Sequence, residues 1–489
     1  QNPNWFQTWY DDSLSLSKKY DFINSKDLGG IGIWALGYDD GYTELWDALK
    51  EKIANKSSPS VPKDYSIMSL GGGIISINFS NDESATEYEV FEVASDTSQG
   101  RSVGKFLKSP ILIQDLNDNI PYYYKVRAIN QFGISEFTEL LGSTPSPSKS
   151  KVLIVNGFDR ISGTTNTFDF IHEHGNAIFI NGYTFDASSN DAIINGSMKL
   201  SDYGIVDWIL GEEGTATSAF DEKEKILLQD YLLNGGRILI SGSEIGYDLS
   251  EKGNNSDKIF YENILKAEYV SDAAGGTGGV YEIEGTPNSL FDGYVFNFDN
   301  GENGNYDVDW PDGIKPAGDA VNILKYKNVD YETKGGAGIA YRGSFLNSKT
   351  PSGIVYLSVG FESIYPEQIR TDIMDEILQF LEAPIASVID TDPVVPEGLN
   401  ISALYPNPSN RSISIEFTVR ELSPIAFLTI TDLMGREVFR MSALSLPTKI
   451  QRFNWNGLTK NGTKAPSGVY IVYLSQGEKI VNKKFTLLK

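Results

Sequence analysis

Serine, histidine and carboxylate are the groups from which this chain of 489 residues would have to build a nucleophilic site, since it contains no cysteine and two histidines. A serine hydroxyl attacks only with an imidazole in hydrogen-bond reach and a carboxylate to orient that imidazole. The combination to weigh is Ser243, in the run SGSEIG (241–246), with His172 or His174 and an acid. The run departs from G-x-S-x-G because Ile245 separates Glu244 from Gly246. Ser243 and Glu244 therefore stand as the candidates for a serine- or carboxylate-dependent hydrolase or lyase. Two histidines at i, i+2 would need carboxylates supplied by the fold to hold a metal, and the plainer reading is a solvated pair near a helix end. Calcium is the one cofactor the sequence suggests. In DNGENGNYDVDWPD (299–312) Asp307 and Asp309 alternate, with Asn303 and Asn305 nearby, and oxygen-rich side chains of this kind are what calcium takes. The run lacks the closing glutamate of an EF-hand loop, and a polar turn built on Asx side chains is the competing reading. AGGTGG (274–279) has neither the lysine nor the following helix of a phosphate loop.

The elements that must position Ser243 and Glu244 read as alternating strands and helices. VLIVNGF, NAIFING, YGIVDWILG, ILISGSE and GIVYLSVGFESI are expected strands. FDEKEKILLQDYLLNGGR is an expected helix, acidic at its start and stopped by Gly235-Gly236, and EQIRTDIMDEILQFLE is a second, with Ile369, Ile373, Ile377 and Phe380 at helical spacing. This alternation predicts a doubly wound parallel sheet over 150–384, with a Gly-rich β insertion at 268–349 that carries its own small sheet. Ligands of such sheets bind at the carboxyl ends of the strands. Those ends are Asn156 to Arg160, Gly211 to Glu213, Gly242 to Glu244 and Phe361-Glu362. The strand–turn–helix elbow is similar to the class I glutamine-amidotransferase scaffold, with Ser243 or Glu244 where that scaffold has cysteine. VNGFDR, SGSEIGYDL and VGFESI also resemble domains that accompany secreted Bacteroidetes polysaccharide-degrading enzymes, sometimes labelled xanthan-lyase-like.

Upstream, 59–146 shows strands at regular spacing, with Tyr88, Val90 and Glu92 alternating against Glu89, Phe91 and Val93. YYYKVRAINQFGISEF resembles the penultimate strand and turn of a fibronectin type III domain, which implies a tyrosine corner from Tyr122 to the backbone near Leu116. Ser/Pro-rich text at 56–63 and TPSPSKSK at 144–151 is expected to be linker and hinge. Residues 1–55 read as helix (Ser13 to Ser25), buried strand (Gly29 to Gly37) and helix (Gly41 to Ile53), too little to close a core alone. WYDD, SLSLSKKY and GGIGIWALGYDDG resemble the last two strands of family 18, chitinase-type glycoside hydrolases. The resemblance implies a sugar-binding role for Trp34 and Tyr10 in a βα-barrel remnant. The family's acid/base, on an earlier strand, has no counterpart in this chain, so Trp34 is expected to be the remnant of a sugar subsite rather than a working site, with a plain core aromatic as the competing reading, and no cleavage is expected. More protein is expected upstream of Gln1.

After a linker at 385–399, the segment 400–489 has short alternating runs between turn signals, a small β-sandwich in which Ile413, Ile415, Phe417 and Val419 share one face. Tyr405-Pro406-Asn407-Pro408, the Asp432-Leu433-Met434-Gly435-Arg436 turn, Gly468-Val469-Tyr470 and Lys483-Lys484-Phe485 look like the C-terminal sorting domain of the Bacteroidetes type IX secretion system. That resemblance implies export across the outer membrane, with the outer-membrane translocon as partner and a secreted or cell-surface destination. The lysines near the end suggest an acidic receptor surface. The fold class expected for the whole is multidomain α/β plus all-β, the doubly wound sheet flanked by immunoglobulin-like β-sandwiches and the barrel remnant.

Composition agrees with a globular, turn-rich chain of about three to five domains. There are 41 basic against 65 acidic side chains, a net charge of −24. Such a field repels phosphate backbones, which argues against nucleic acid and anionic membrane surfaces; polysaccharide is the ligand class that the resemblances to glycan-degrading families imply. No apolar run reaches the length of about 18 residues needed to span a bilayer.

Overall fold

The computed structural model describes residues 10–488 apart from 27, 34–42, 54–56, 95–99, 149, 160–165, 168, 215–217, 276–279, 309, 347, 384–398, 411, 420–425, 444–450, 461–462 and 477–478. Helix α1 (Ser13–Ser25) starts at Asp12, whose carboxylate takes the Ser15 N–H while the Ser15 hydroxyl returns to the Asp12 N–H. Helix α2 (Glu44–Lys52) is acidic in its first turn and basic in its last. The two pack together and bury Tyr20 and Ala48. The described part of the expected strand, 29–33, is not a strand, and Ile33 is 47% exposed. A buried strand needs hydrogen-bonded neighbours, and no described strand pairs with this segment.

The next unit is a two-sheet sandwich. Strands β1 (Lys63–Gly71), β2 (Ile74–Ser80), β3 (Glu87–Glu92), β4 (Arg101–Phe106), β5 (Ile111–Ile113), β6 (Tyr122–Asn130), β7 (Gly133–Ile134) and β8 (Leu141–Ser143) divide into β1-β2-β5 and β4-β3-β6, with β7 and β8 on β6. Tyr124, Val126 and Ala128 of β6 turn inward at period two against Ile67, Ile75, Ile77 and Val90. The Tyr122 hydroxyl accepts the Asn117 N–H at 3.1 Å, the expected corner one residue beyond Leu116.

The largest unit begins with β9 (Val152–Asn156), α3 (Ile171–Ile180), β10 (Phe185–Ser189), α4 (Asn190–Ile194), β11 (Ile205–Gly211), α5 (Glu222–Leu233), β12 (Arg237–Gly242) and α6 (Asn255–Asn263). Strands β13 (Ala267–Ser271), β14 (Glu282–Gly285), β15 (Val295–Phe298), β16 (Gly313–Pro316) and β17 (Val321–Tyr326) follow, then a helical turn α7 (Tyr331–Lys334). The unit closes with β18 (Gly338–Ser344), β19 (Pro351–Leu357), β20 (Ile364–Tyr365) and α8 (Glu367–Glu382). Strands β10, β9, β11, β12 and β19 lie side by side and parallel in that order. Their residues are apolar on both faces because helices cover both: α3 and α8 pack in one core cluster with Val152, Ile154 and Val355, α5 and α6 in the other with Val155, Trp208 and Ile240.

Two expectations fail here for identifiable reasons. NAIFING is the end of α3, not a strand, and the strand lies later, at Phe185–Ser189. Ile171, His172, His174, Gly175, Ala177 and Ile178 are the buried positions, a helical stripe that the short apolar run alone does not reveal. The insertion does not keep to its own sheet: β18 pairs antiparallel with β19, and β17, β14 and β15 continue outward to β20, leaving only β13 and β16 as a separate pair.

The expected hinge at 144–151 is also overturned. Strand β1 pairs antiparallel with β10, with Ser66 opposite Ser188, so one thirteen-stranded sheet runs from the sandwich through the parallel strands. Asp186, 2% exposed, accepts the Ser69 N–H and the Ser143, Ser150 and Tyr203 hydroxyls at 2.8–3.1 Å. Thr144, Ser146 and Ser150 are buried. Serine-rich text reads as linker because it has little apolar area to bury, but here the buried Asp186 carboxylate takes the Ser150 hydroxyl and, just before the segment, that of Ser143.

The last unit is a second sandwich: β21 (Asn400–Tyr405), β22 (Ser409–Asn410), β23 (Ile413–Thr418), β24 (Ala426–Asp432), β25 (Glu437–Ala443), β26 (Gln451–Trp455), β27 (Gly468–Gln476) and β28 (Lys479–Leu488). Its sheets are β21-β23-β26 and β22-β28-β27-β24-β25. Ile413, Ile415, Phe417 and Val419 are buried on one face as expected, and meet Leu428, Ile430, Val472 and Leu474.

Candidate functional site

The parallel strands are in register such that Asn156 lies beside Ile209, Ile209 beside Ser241 and Ser241 beside Leu357. The residues that follow them therefore converge on one edge of the sheet. At its middle β12 ends at Gly242, the chain turns through Ser243 and Glu244, and helical backbone resumes at Ile245. Glu244 has φ +61°, a left-handed conformation costly for a residue with a Cβ. The buried Asp312 carboxylate accepts the Gly246 N–H at 2.6 Å and the Tyr247 N–H at 3.3 Å, capping the helical start. Burial pushes the Asp312 carboxyl well up, with these two amides opposing. A Cβ on Gly246 would stand 2.5 Å from the Tyr261 hydroxyl, so the turn packs too closely for a side chain there.

Ser243 is not the residue presented by this elbow. It is 3% exposed, its N–H donates to the Gly211 carbonyl at 2.9 Å, and its hydroxyl turns to the same carbonyl at 3.4 Å. Nor does His174 supply a base. His174 is fully buried, with Nδ1 2.7 Å from Asp207 Oδ2 and Nε2 3.2 Å from Glu362 Oε2. The Tyr306 hydroxyl donates to the other oxygen of Glu362 at 2.6 Å. Burial alone would lower the imidazole, but Asp207 and Glu362 outweigh it and hold the group up at about 9. An imidazolium that donates from both nitrogens has no lone pair for a serine proton. His172 packs its ring on Tyr123, centroids 4.2 Å apart. The solvated histidine pair is thus corrected, as the two are 8% and 0% exposed. The helical stripe of α3 turns both inward.

Acids crowd the same edge. Asn156 Nδ2 donates to Glu139 at 2.6 Å, and Asn190 Nδ2 lies 3.2 Å from Asp159 and 3.3 Å from Glu224. Burial pushes Glu139 and Glu224 up to about 8, against the hydrogen bonds that favour their charged forms. Carboxyls held in this way are proton-bearing near neutral pH and can donate as well as accept.

Around Asp307 the described side chains serve the loop's own hydrogen bonds. Asp299, at 1% exposure, occupies the centre of that loop and accepts the N–H groups of Glu302, Asn303 and Asn305 at 2.8–3.0 Å. Asp307 takes the Tyr281 hydroxyl at 2.6 Å, Asp309 is outside the described residues, and no group of three metal-ligating side chains occurs among the described residues. The loop's acceptors face its own amides, as in an Asx turn. Trp34 also falls outside the described residues, Tyr10 is 84% exposed, and of AGGTGG only Ala274 and Gly275 are described.

In the last sandwich the expected residues come together around β28. Asn407 accepts the Thr486 N–H at 3.0 Å, and Lys483 Nζ donates to the Ser402 carbonyl at 2.9 Å. Tyr405 donates to Glu416 at 2.6 Å, and Pro406 and Pro408 lie on the exposed turn beside it. Gly468 opens β27 opposite Leu487, and Tyr470 stacks on Phe485 with centroids 5.8 Å apart. Lys484 points its charge to the exposed surface. Sequence reading missed Asp186 and Glu362 as partners. Each sits in a run whose neighbours look like ordinary strand or turn, and only the fold brings its donors near.

Residues 403–487 match the family model described as "Secretion system C-terminal sorting domain". A type IX sorting domain of this kind marks a protein for export across the outer membrane to the cell surface or extracellular space. No curated protein matches the sequence. Among solved structures, FN3tt is 24% identical, with 19% of this chain and 99% of that chain covered and a TM-score of 0.18. PorZ, a surface component of the type IX secretion system of Porphyromonas gingivalis, is 22% identical over 19% of this chain and 12% of its own, TM-score 0.15. The twitchin kinase region of C. elegans is 16% identical over 18% and 17%, TM-score 0.17. No described helix is long and apolar enough to cross a membrane.

Proposed function

We propose that this chain is the C-terminal region of a type IX-exported, chitinase-like polysaccharide-degrading protein. In this reading the fibronectin-like sandwich and the doubly wound α/β unit serve as a spacer and glycan-binding body, and the last sandwich is read by the outer-membrane translocon. The observation that carries the export half is the sorting-family match over residues 403–487, on a sandwich whose core alternates as its sequence requires. Against a triad of Ser243 and His174 stand the imidazole held between two carboxylates and the hydroxyl turned to a backbone carbonyl. Residues 1–55, with Trp34 and Tyr10, belong in this reading to a barrel whose acid lies elsewhere.

The test is a fusion of residues 399–489 to a fluorescent protein with a periplasmic signal, expressed in a bacterium that has the type IX system. The fusion reaches the cell surface or medium, and deletion of residues 481–489 abolishes this while upstream units still fold. A fusion that stays periplasmic, or a truncated one exported equally well, sinks the reading. A second reading, a carboxylate-dependent hydrolase or lyase, is favoured by one observation, the left-handed backbone of Glu244 at the elbow. It requires turnover of an ester or glycan that Glu244→Gln removes.

A further inference from the structure

Between the first sandwich and the α/β unit lies a cavity of about 490 Å³, within the range of small-molecule sites and at the kind of junction where such sites form. One wall is aromatic. Tyr123 and His172 lie against each other, both over nine-tenths buried, and the Tyr122 ring lines the cavity beside them. From α3 the side chain of Glu173 also lines it, in the first turn of the helix. Among the described residues no other side chain hydrogen-bonds to Glu173 or closes an ion pair with it; its own backbone N–H and the charge of Arg370 favour its ionised form.

The other charged groups around the cavity are already engaged or lie at its rim. Glu92 is paired with Arg101 at 2.9 Å. Arg370 gives Nη1 to the carbonyls of Glu362 and Ile364, at 3.1 and 2.9 Å. Glu367 is exposed. The Tyr122 hydroxyl is turned away to the Asn117 N–H, and that of Tyr123 reaches only Asn176, at 3.4 Å. What remains is a half-buried carboxylate beside aromatic ring faces, with the Arg370 charge nearby but no side chain donating to it. An ammonium group satisfies both, since it donates charge-assisted hydrogen bonds to the carboxylate and is attracted to the rings.

We propose that this cavity binds a small protonated primary amine, with its ammonium on Glu173 and its carbon skeleton on Tyr123 and His172. An amino sugar and a lysine side chain share this chemistry. The proposal is independent of how the chain is exported. Burial pushes the Glu173 carboxyl up to about 7, opposed by the Arg370 charge. A bound cation therefore draws a proton off it, and affinity for a ligand that is itself charged throughout rises by about tenfold from about pH 5.5 to about pH 7.

The experiment is calorimetric titration of the full chain with glucosamine and with Nα-acetyl-lysine amide, using N-acetylglucosamine as the neutral counterpart. At least one amine binds, the stronger of the two identifies the source, and N-acetylglucosamine does not bind. Glu173→Gln weakens the amine by about tenfold or more, with a thermal midpoint no lower than that of the parent chain. The pH dependence of the parent chain is read in parallel and needs no variant. The proposal is overturned if neither amine binds, if the neutral sugar binds as tightly, if Glu173→Gln leaves affinity unchanged, or if affinity does not rise with pH.

Discussion

An imidazolium closed off from water must be compensated by groups a hydrogen bond away, and His174 has Asp207 on one nitrogen and Glu362 on the other. Removing it leaves two buried carboxylates facing each other without a cation. His174→Asn is therefore expected to cost about 3–5 kcal/mol in urea unfolding. The pH dependence has a definite sign. A group raised from 6.5 to about 9 in the folded chain stabilises fully below about pH 6.5, and that contribution fades as pH rises through about 9. The parent chain should lose stability between those limits, and His174→Asn should lose this part of the slope. A parent profile flat from pH 7 to about 9.5 would contradict the imidazolium assignment. The buried acids Glu139 and Glu224, raised to about 8, act in the same direction, because they bind more protons folded than unfolded as pH rises from about 4.5.

At the scale of elements, the elbow after β12 stores strain at Glu244, where φ is +61°. Glycine adopts that conformation freely, although it also gains freedom in the unfolded chain. Glu244→Gly is expected to stabilise by on the order of 1 kcal/mol, read as a raised urea midpoint with an unchanged slope. A lowered midpoint would mean that contacts of the Glu244 side chain outweigh the strain. Elements with strong local signals were legible in the sequence to the residue: α1 and α8 span the expected 13–25 and 367–382, and the strands of the last sandwich alternate as written. Those that failed depend on distant partners. NAIFING is apolar enough for a strand or a buried helix, and tertiary packing beside β9 decides for the helix. The elbow was found from SGSEIG, yet whether Ser243 or Glu244 stands at its apex depended on a backbone angle that residue types do not encode.

Across the whole molecule, the seam between the first sandwich and the α/β unit is a continuous sheet closed over Asp186. Limited proteolysis of the parent chain should spare 144–151. Asp186→Ala, which strands three hydroxyls and one amide, should expose that segment to early cutting and cost about 2–4 kcal/mol. Cutting there in the parent chain would refute the closed seam. The ligand cavity spans the same seam, so opening it should remove amine binding as well. In the last sandwich, β28 lies between β27 and β22, and its Phe485 packs against Trp455 and Tyr470. Synthesis runs from the amino end and units fold as they emerge, so this strand is the last of its domain to leave the ribosome. Until it does, β27 has an unpaired edge and Asn407 has no amide of Thr486 to hold. A nascent chain arrested within the last sandwich thus carries the upstream units but no finished address, and the order of synthesis makes a closed sandwich the mark that everything before β28 has been made.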